Sequence, residues 1–323
     1  MNASLSRRTL IGGCAAAALT AAFPLVSSAA AARTVRAATL NETGRSVEID
    51  VPFNPGRVAV IDAATLDVLD HWGLGGRIVA MPRTTVVPYL SKYFEKGAPG
   101  VDTGTLKEVD MEALMAAEPD VIFISGRLAK KYRELSRIAP VVYMTTDRTI
   151  GSMASFNRNL LNLARIFGLE QRARDDAAGF AARLEVIAEK ARGKTALVGL
   201  VTSAHVNLLG DQARCSLIGR EFGFQNIAAS ASANHGNESS FELLLKLNPD
   251  YLFVLDRDSA IARPGARVAR DVLNNPIVAR MKASRENHIA YLTPAAWYLA
   301  EGGVQAMDIM FSDVERALGI KAS

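Results

Sequence analysis

The stretch NHGNESSFELLLKLNPDYLFVLDRD, residues 234–258, places a helix, a turn, a buried strand and three candidate functional residues within 25 positions. The three are His235, Glu242 and Arg257. Ser239 or Ser240 is placed to cap the helix, Phe241, Leu244, Leu245 and Leu247 form its apolar side, and Asn248-Pro249-Asp250 stops it. Residues 251–255 are an unbroken apolar run, the pattern of a strand buried on both faces, and Asp256-Arg257-Asp258 falls just past its carboxyl end.

The same unit occurs a second time. VDMEALMAAEPDVIFISGR, residues 109–127, aligns without a gap on residues 239–257, so that Glu112 matches Glu242, Pro119-Asp120 matches Pro249-Asp250, and Arg127 matches Arg257. A repeat of this length predicts two lobes of similar build, because one lobe does not need a second copy of its helix-turn-strand. In α/β sheets ligands bind outside the carboxyl ends of the parallel strands. Each lobe therefore offers an arginine at its binding edge, and a cleft between the lobes sees both.

Around this pair the chain reads as alternating strands and helices, the signature of an α/β fold with central parallel sheets. Residues 34–51 suggest an edge hairpin. Strands are expected at 57–61, 77–81 and 141–144, with a helix at 64–72 and an irregular stretch at 82–104 that holds a short helix near 89–94. Residues 152–167 carry apolar side chains at spacings of three and four and fall between the two repeats, so one long helix joins the lobes, with Gly168 as its stop. A second helix follows over 170–192. A strand at 194–200, a helix at 216–222, a late strand at 291–293 and a closing helix at 304–318 complete the reading. The expected divisions are 33–150 for the N-terminal lobe, 151–169 for the connecting helix and 170–323 for the C-terminal lobe.

Residues 1–32 read as a twin-arginine export signal: Arg7-Arg8, an apolar run over 11–26, then small residues. Cys14 sits almost against the arginine pair, too near it for a lipoprotein signal with an apolar core. Of 37 Lys and Arg, the leader holds two, which leaves 35 against 33 Asp and Glu in the remaining 291 residues. A nearly neutral chain without a dense basic run excludes nucleic acid as the expected partner. One cysteine remains, Cys215, so no internal disulfide is possible despite an exported destination, and it reads as a small buried hydrophobe.

No phosphate-binding or catalytic motif appears: GxGxxG after the first strand, GxxxxGK[ST], GxSxG and HExxH are all missing. Of the four histidines, His71 and His288 sit at element ends, whereas His235 lies in a Gly, Asn and Ser-rich loop. Its candidate partner is Tyr298 in TPAAWYLAEGG, residues 293–303, a strand-to-helix segment with two adjacent aromatics and a glycine pair.

These residues carry a resemblance. The chain resembles the periplasmic siderophore-binding proteins of iron ABC importers, in the subgroup that takes up ferric catecholates, including petrobactin-type siderophores. The shared pieces are Asn54-Pro55-Gly56-Arg57-Val58 with Asp62, Gly104-Thr105-Leu106-Lys107-Glu108, Ile124-Ser125-Gly126-Arg127, His235-Gly236, the run 248–258 and Trp297-Tyr298-Leu299. The resemblance implies two Rossmann-like lobes joined by one long helix, with little hinge motion. It implies that His235 and Tyr298 coordinate ferric iron held in the siderophore, and that Arg127, Arg214 and Arg257, with Trp297, surround the anionic catecholates. It implies docking through Glu112 and Glu242 on an inner-membrane ABC permease with its ATPase, a periplasmic monomer, and no intrinsic cofactor. The chain departs from the pattern at Glu238 and Glu301, which add negative charge near an anion site, and at Cys215, where an aromatic is more usual. The rival readings are a same-fold binding protein for haem, cobalamin or a divalent metal, and a secreted enzyme on a Rossmann-like scaffold.

Overall fold

Residues 33–231 and 237–321 are described by the computed structural model of the chain. The chain enters through the antiparallel hairpin of β1 (Thr34–Leu40) and β2 (Ser46–Pro52). The first lobe follows as a five-stranded sheet of β3 (Val58–Ile61), β4 (Ile78–Met81), β5 (Val101–Asp102), β6 (Val121–Ile124) and β7 (Val141–Tyr143), all parallel and ordered β5-β4-β3-β6-β7. Both β3 and β6 are buried at every residue, which is why their sequences read as unbroken apolar runs.

The second lobe is built on β8 (Thr195–Thr202), β9 (His205–Leu208), β10 (Gln225–Asn226), β11 (Asn237–Ser239), β12 (Tyr251–Asp256) and β13 (Ile289–Tyr291). Its parallel core of β10, β8, β12 and β13 carries an antiparallel extension, β9 and β11, that the sequence reading does not contain. The cause is local. Thr202 pairs with His205, so Ser203 and Ala204 alone make the turn, both in the left-handed region at φ 50° and 65°. That is the backbone of a tight primed hairpin, built from residues that lack its usual Asn-Gly signal.

The repeat is a structural one. Asp110 and Ser240 cap the matched helices Met111–Ala116 and Phe241–Leu247, and Leu114 and Leu244 are each fully buried beneath them. In the turns, Asp120 accepts the Gly56 and Arg57 amides at 3.0 and 2.8 Å, while Asp250 accepts the Thr195 amide at 2.8 Å. Each turn aspartate thus ties its strand to the start of the neighbouring parallel strand, β3 in one lobe and β8 in the other.

The helix Ser152–Phe167 runs between the two sheets in chain order and ends at Gly168, whose φ of 71° is the left-handed helix stop that glycine adopts without strain. It is followed by the helix Glu170–Ala191. The lobes share a core across these helices: Phe156 meets Phe180 at 5.5 Å between ring centroids, Phe180 meets Phe311 at 5.1 Å, and Phe311 meets Phe222 at 4.9 Å. Such pairs add about 0.5–1.5 kcal/mol each beyond the area they bury. A polar link runs beside them. Asp67, on the first-lobe helix Ala63–His71, is fully buried and accepts the Gln305 and Ala306 amides at 2.8 and 2.9 Å, so it caps the closing helix Val304–Ala317 from the opposite lobe. Burial pushes its carboxyl up to about 7 against these hydrogen bonds and that of Tyr89.

Candidate functional site

The carboxyl ends of β6, β12 and β13 deliver three of the expected residues to one place. Arg127 stands in the turn Gly126–Lys131 after β6; Arg257 opens the short helix Arg257–Ala260 after β12; Tyr298 closes the short helix Pro294–Tyr298 after β13. Arg214 comes from the loop after β9. A cleft of about 310 Å³ is lined by Asp62, Arg127, Arg148, Arg214, Tyr298 and Glu301, among others.

Tyr298 is the meeting point. Arg257 Nε donates to its hydroxyl at 2.9 Å, the Arg214 guanidinium lies 4.3 Å from its ring centroid, and Arg127 and Arg214 donate to its carbonyl at 3.3 and 3.1 Å. A guanidinium held over an aromatic face contributes about 0.5–2 kcal/mol, more as water is excluded. The three arginines therefore bracket the phenol from above, from its edge and from its backbone side. Their surroundings differ: Arg257 is paired with buried Asp258 at 3.4 Å, whereas Arg127 makes no ion pair among the described residues. Burial holds the Arg127 guanidinium below its usual range; Asp62 opposes that shift and Arg214 adds to it. Such a group gains from any anion that enters the cleft.

Trp297 corrects the expectation. Its side chain is 1% exposed and its indole N–H donates to Asp313 at 3.0 Å, so it is a core residue, and only its carbonyl faces Arg214, at 3.5 Å. On a helix, successive side chains diverge by about 100°, so Tyr298 turns to the cleft and Trp297 away from it. His235 lies outside the described residues. Cys215 is buried, and its thiol is pushed up to about 12 by burial, with Glu301 acting in the same direction, so it stays an unreactive packing group. Glu112 and Glu242 are exposed in the first turns of the matched helices, one on each lobe.

Two features of the site escape a reading of the sequence. Arg148, from the loop before the connecting helix, lines the cleft and is ion-paired with Glu301. Glu301, whose side chain is 8% exposed, also lies 4.0 Å from Arg214, so its charge is compensated inside the protein. The partners are separated by 153 residues, and no local pattern announces such a pair. Asp62 ends β3 and caps the following helix through Thr65, which places its carboxylate at the cleft wall near Arg127.

A model of a family described as periplasmic binding protein matches residues 58–296, and the chain belongs to that family. It is 36% identical over 275 residues to the petrobactin-binding protein YclQ of Bacillus subtilis, covering 83% of this chain and 84% of that protein. The solved structure of YclQ superposes with a TM-score of 0.81 over 88% of this chain and 99% of that one. The periplasmic catecholate-siderophore-binding protein VctP of Vibrio cholerae is 29% identical, with a TM-score of 0.80 over 88% of this chain and all (100%) of that one. The ferric-anguibactin-binding protein FatB of Vibrio anguillarum is 27% identical over 267 residues, 80% of this chain and 81% of that protein.

Proposed function

We propose that this chain is the extracytoplasmic binding component of an iron ABC importer and that it captures a ferric catecholate siderophore in the cleft at Tyr298. The observation that carries the reading is a tyrosine at a cleft wall contacted by three guanidiniums, Arg257 at its hydroxyl, Arg214 over its ring and Arg127 at its carbonyl. A ferric catecholate is a net anion that presents aromatic oxygens, and forked guanidinium hydrogen bonds to such oxygens contribute about 1.5–3 kcal/mol each. Where the siderophore leaves two positions on the iron open, Tyr298 as phenolate and His235 as imidazole supply them, both suitable donors to ferric iron. Tyr298 loses its proton on binding, so affinity falls as pH decreases. The names of YclQ, VctP and FatB, each a siderophore-binding protein, support the same class of cargo.

The remaining parts of the proposal follow from this role. Residues 1–32 direct twin-arginine export to the periplasm; 33–150 and 170–323 form the two lobes and 151–169 the helix that joins them. The protein works as a monomer and a carrier without a catalysed reaction. Glu112 and Glu242 dock on the permease, so charge reversal of either (Glu112→Arg or Glu242→Arg) lowers iron uptake by cells and leaves ligand affinity unaltered.

The test is a titration of the mature protein, followed by tryptophan fluorescence and visible absorbance, with tetradentate and hexadentate ferric catecholates, ferric citrate and iron-free siderophore. Submicromolar quenching by the ferric catecholates, with a shifted charge-transfer band for the tetradentate one that is lost in His235→Ala, is the expected result. Quenching without that shift would remove the iron-ligand roles, and no response to either catecholate would overturn the cargo assignment.

A further inference from the structure

We propose that Arg148 and Glu301 form a charge-setting pair that determines which net charge of ferric complex the cleft prefers; this rests on the ferric-catecholate reading above. Among the described residues, the charged side chains lining the cleft are the guanidiniums of Arg127, Arg148 and Arg214 and the carboxylates of Asp62 and Glu301, which leaves one net positive charge; Arg257, at the Tyr298 hydroxyl, is not part of that lining and is paired with Asp258. Asp62 is committed to the local backbone: its carboxylate caps a helix, accepting the Thr65 amide and hydroxyl at 2.9 Å each. Glu301 has no such role. The helix that begins just beyond it is capped by Asp67 from the other lobe, and Glu301 instead faces two of the three cleft guanidiniums, Arg148 and Arg214.

Its burial makes this arrangement expensive. Glu301 Oε1 and Arg148 Nε are both buried without a hydrogen bond within the described protein, so the pair is incompletely satisfied. A buried ion pair can often be replaced by apolar side chains with no loss of stability, so folding alone does not account for it. The Arg148 carbonyl accepts from Arg220, which anchors the segment and fixes the guanidinium at the cleft wall. What the pair does alter is the charge met by a ligand. Iron(III) held by three catecholate dianions is a trianion, and iron(III) held by two is a monoanion. The trianion feels each unit change of cleft charge three times as strongly. Over separations near 10 Å in a partly desolvated cleft, that difference corresponds to about tenfold in relative affinity. By cancelling one guanidinium, Glu301 restrains the preference for the trianion and favours the less charged complex. Arg148 acts as its counterweight.

The experiment measures the ratio of affinities for the ferric complexes of a hexadentate triscatecholate and a tetradentate biscatecholate, by fluorescence titration, with thermal melts to confirm folding. Arg148→Gln is expected to lower the ratio of triscatecholate to biscatecholate affinity about tenfold, and Glu301→Gln to raise it about tenfold. The double variant Arg148→Gln/Glu301→Gln restores the net charge and returns the ratio to within about threefold of the unsubstituted protein. A purely structural pair would weaken both ligands in both single variants. Single shifts in the same direction, no shift, or a double variant that fails to return overturn the inference. Arg148→Lys and Glu301→Asp keep the charges and serve where a glutamine variant does not fold; a changed ratio in either also overturns it. If the unsubstituted protein binds neither complex, the proposed function falls, and this inference with it. If it binds both and the ratio is indifferent to the pair, only the inference falls.

Discussion

Arg127 and Arg257 occupy the same position in two copies of one helix-turn-strand, and both reach Tyr298, but by opposite ends. Arg257 donates to the phenol hydroxyl and is held by Asp258 and Thr202, at 3.4 and 3.2 Å from its Nη1. Arg127 donates to the Tyr298 carbonyl and, among the described residues, has no carboxylate within ion-pair distance. The repeat decides where a guanidinium stands, because the strand, the turn aspartate and the cap that position it are duplicated. The neighbours that set its charge environment belong to each lobe alone. One arginine is a fixed part of the scaffold that also touches the Tyr298 hydroxyl, while the other is a half-buried cation with no ion pair among the described residues.

That comparison breaks most readily on the arginines themselves. Arg257→Gln removes a cation from the Asp258 carboxylate, which is 2% exposed and, among the described residues, keeps Arg263 at 3.6 Å, Thr202 and the Ser203 amide as partners. It is expected to lower unfolding stability by about 2 kcal/mol as well as weaken binding. Arg127→Gln is expected to leave stability within about 0.5 kcal/mol, while costing about 2 kcal/mol of affinity for a ferric catecholate. Denaturant unfolding beside ligand titration reads both quantities; equal stability losses would erase the distinction.

The turn aspartates give a smaller contrast, and one that depends on pH. Asp120→Asn and Asp250→Asn each disturb a tie between parallel strands, at about 1 kcal/mol near neutral pH. Lys282, bonded to Asp250 at 2.6 Å, together with the Thr195 amide and hydroxyl, holds the Asp250 carboxyl down to about 2. A depressed acid contributes stability that is present above the ordinary carboxylate range near 4 and is lost as pH falls toward 2. Because the pair is partly exposed, the loss is expected to be about 1 kcal/mol between those limits. Unfolding followed against pH should show a flatter acid limb in Asp250→Asn; an unaltered limb would remove Lys282 from the account. The caps give effects of that size or smaller. Asp110 accepts two amides at 3.0 Å and Ser240 one at 3.2 Å, so Asp110→Ala is expected to cost about 1 kcal/mol and Ser240→Ala about 0.5 kcal/mol in the same unfolding measurement.

Much of this was legible in the sequence because the signals were local. Apolar runs of strand length opened by Asn-Pro-Asp or Glu-Pro-Asp locate β12 and β6, three-and-four spacing locates the helix Ser152–Phe167, and offset alignment pairs Arg127 with Arg257. What stayed hidden depends on partners distant in the chain or on backbone torsions. The Ser203-Ala204 turn gives no glycine or asparagine signal, so the antiparallel strands β9 and β11 pass unnoticed. Asp67 looks like any helix aspartate until the amides of Gln305 and Ala306 are brought to it. Trp297 and Tyr298 are neighbours in sequence, and only the Asp313 carboxylate facing the indole decides which of them is core.

Contact of Tyr298 with the iron itself is tested by comparing Tyr298→Phe with the unsubstituted protein in binding tetradentate and hexadentate ferric catecholates. The expected loss for the tetradentate complex is at least about tenfold greater than for the hexadentate one, which fills the iron's coordination sphere unaided, with the tetradentate charge-transfer shift abolished. Equal losses for the two complexes, with that shift retained, would contradict it and leave Tyr298 as a cleft wall.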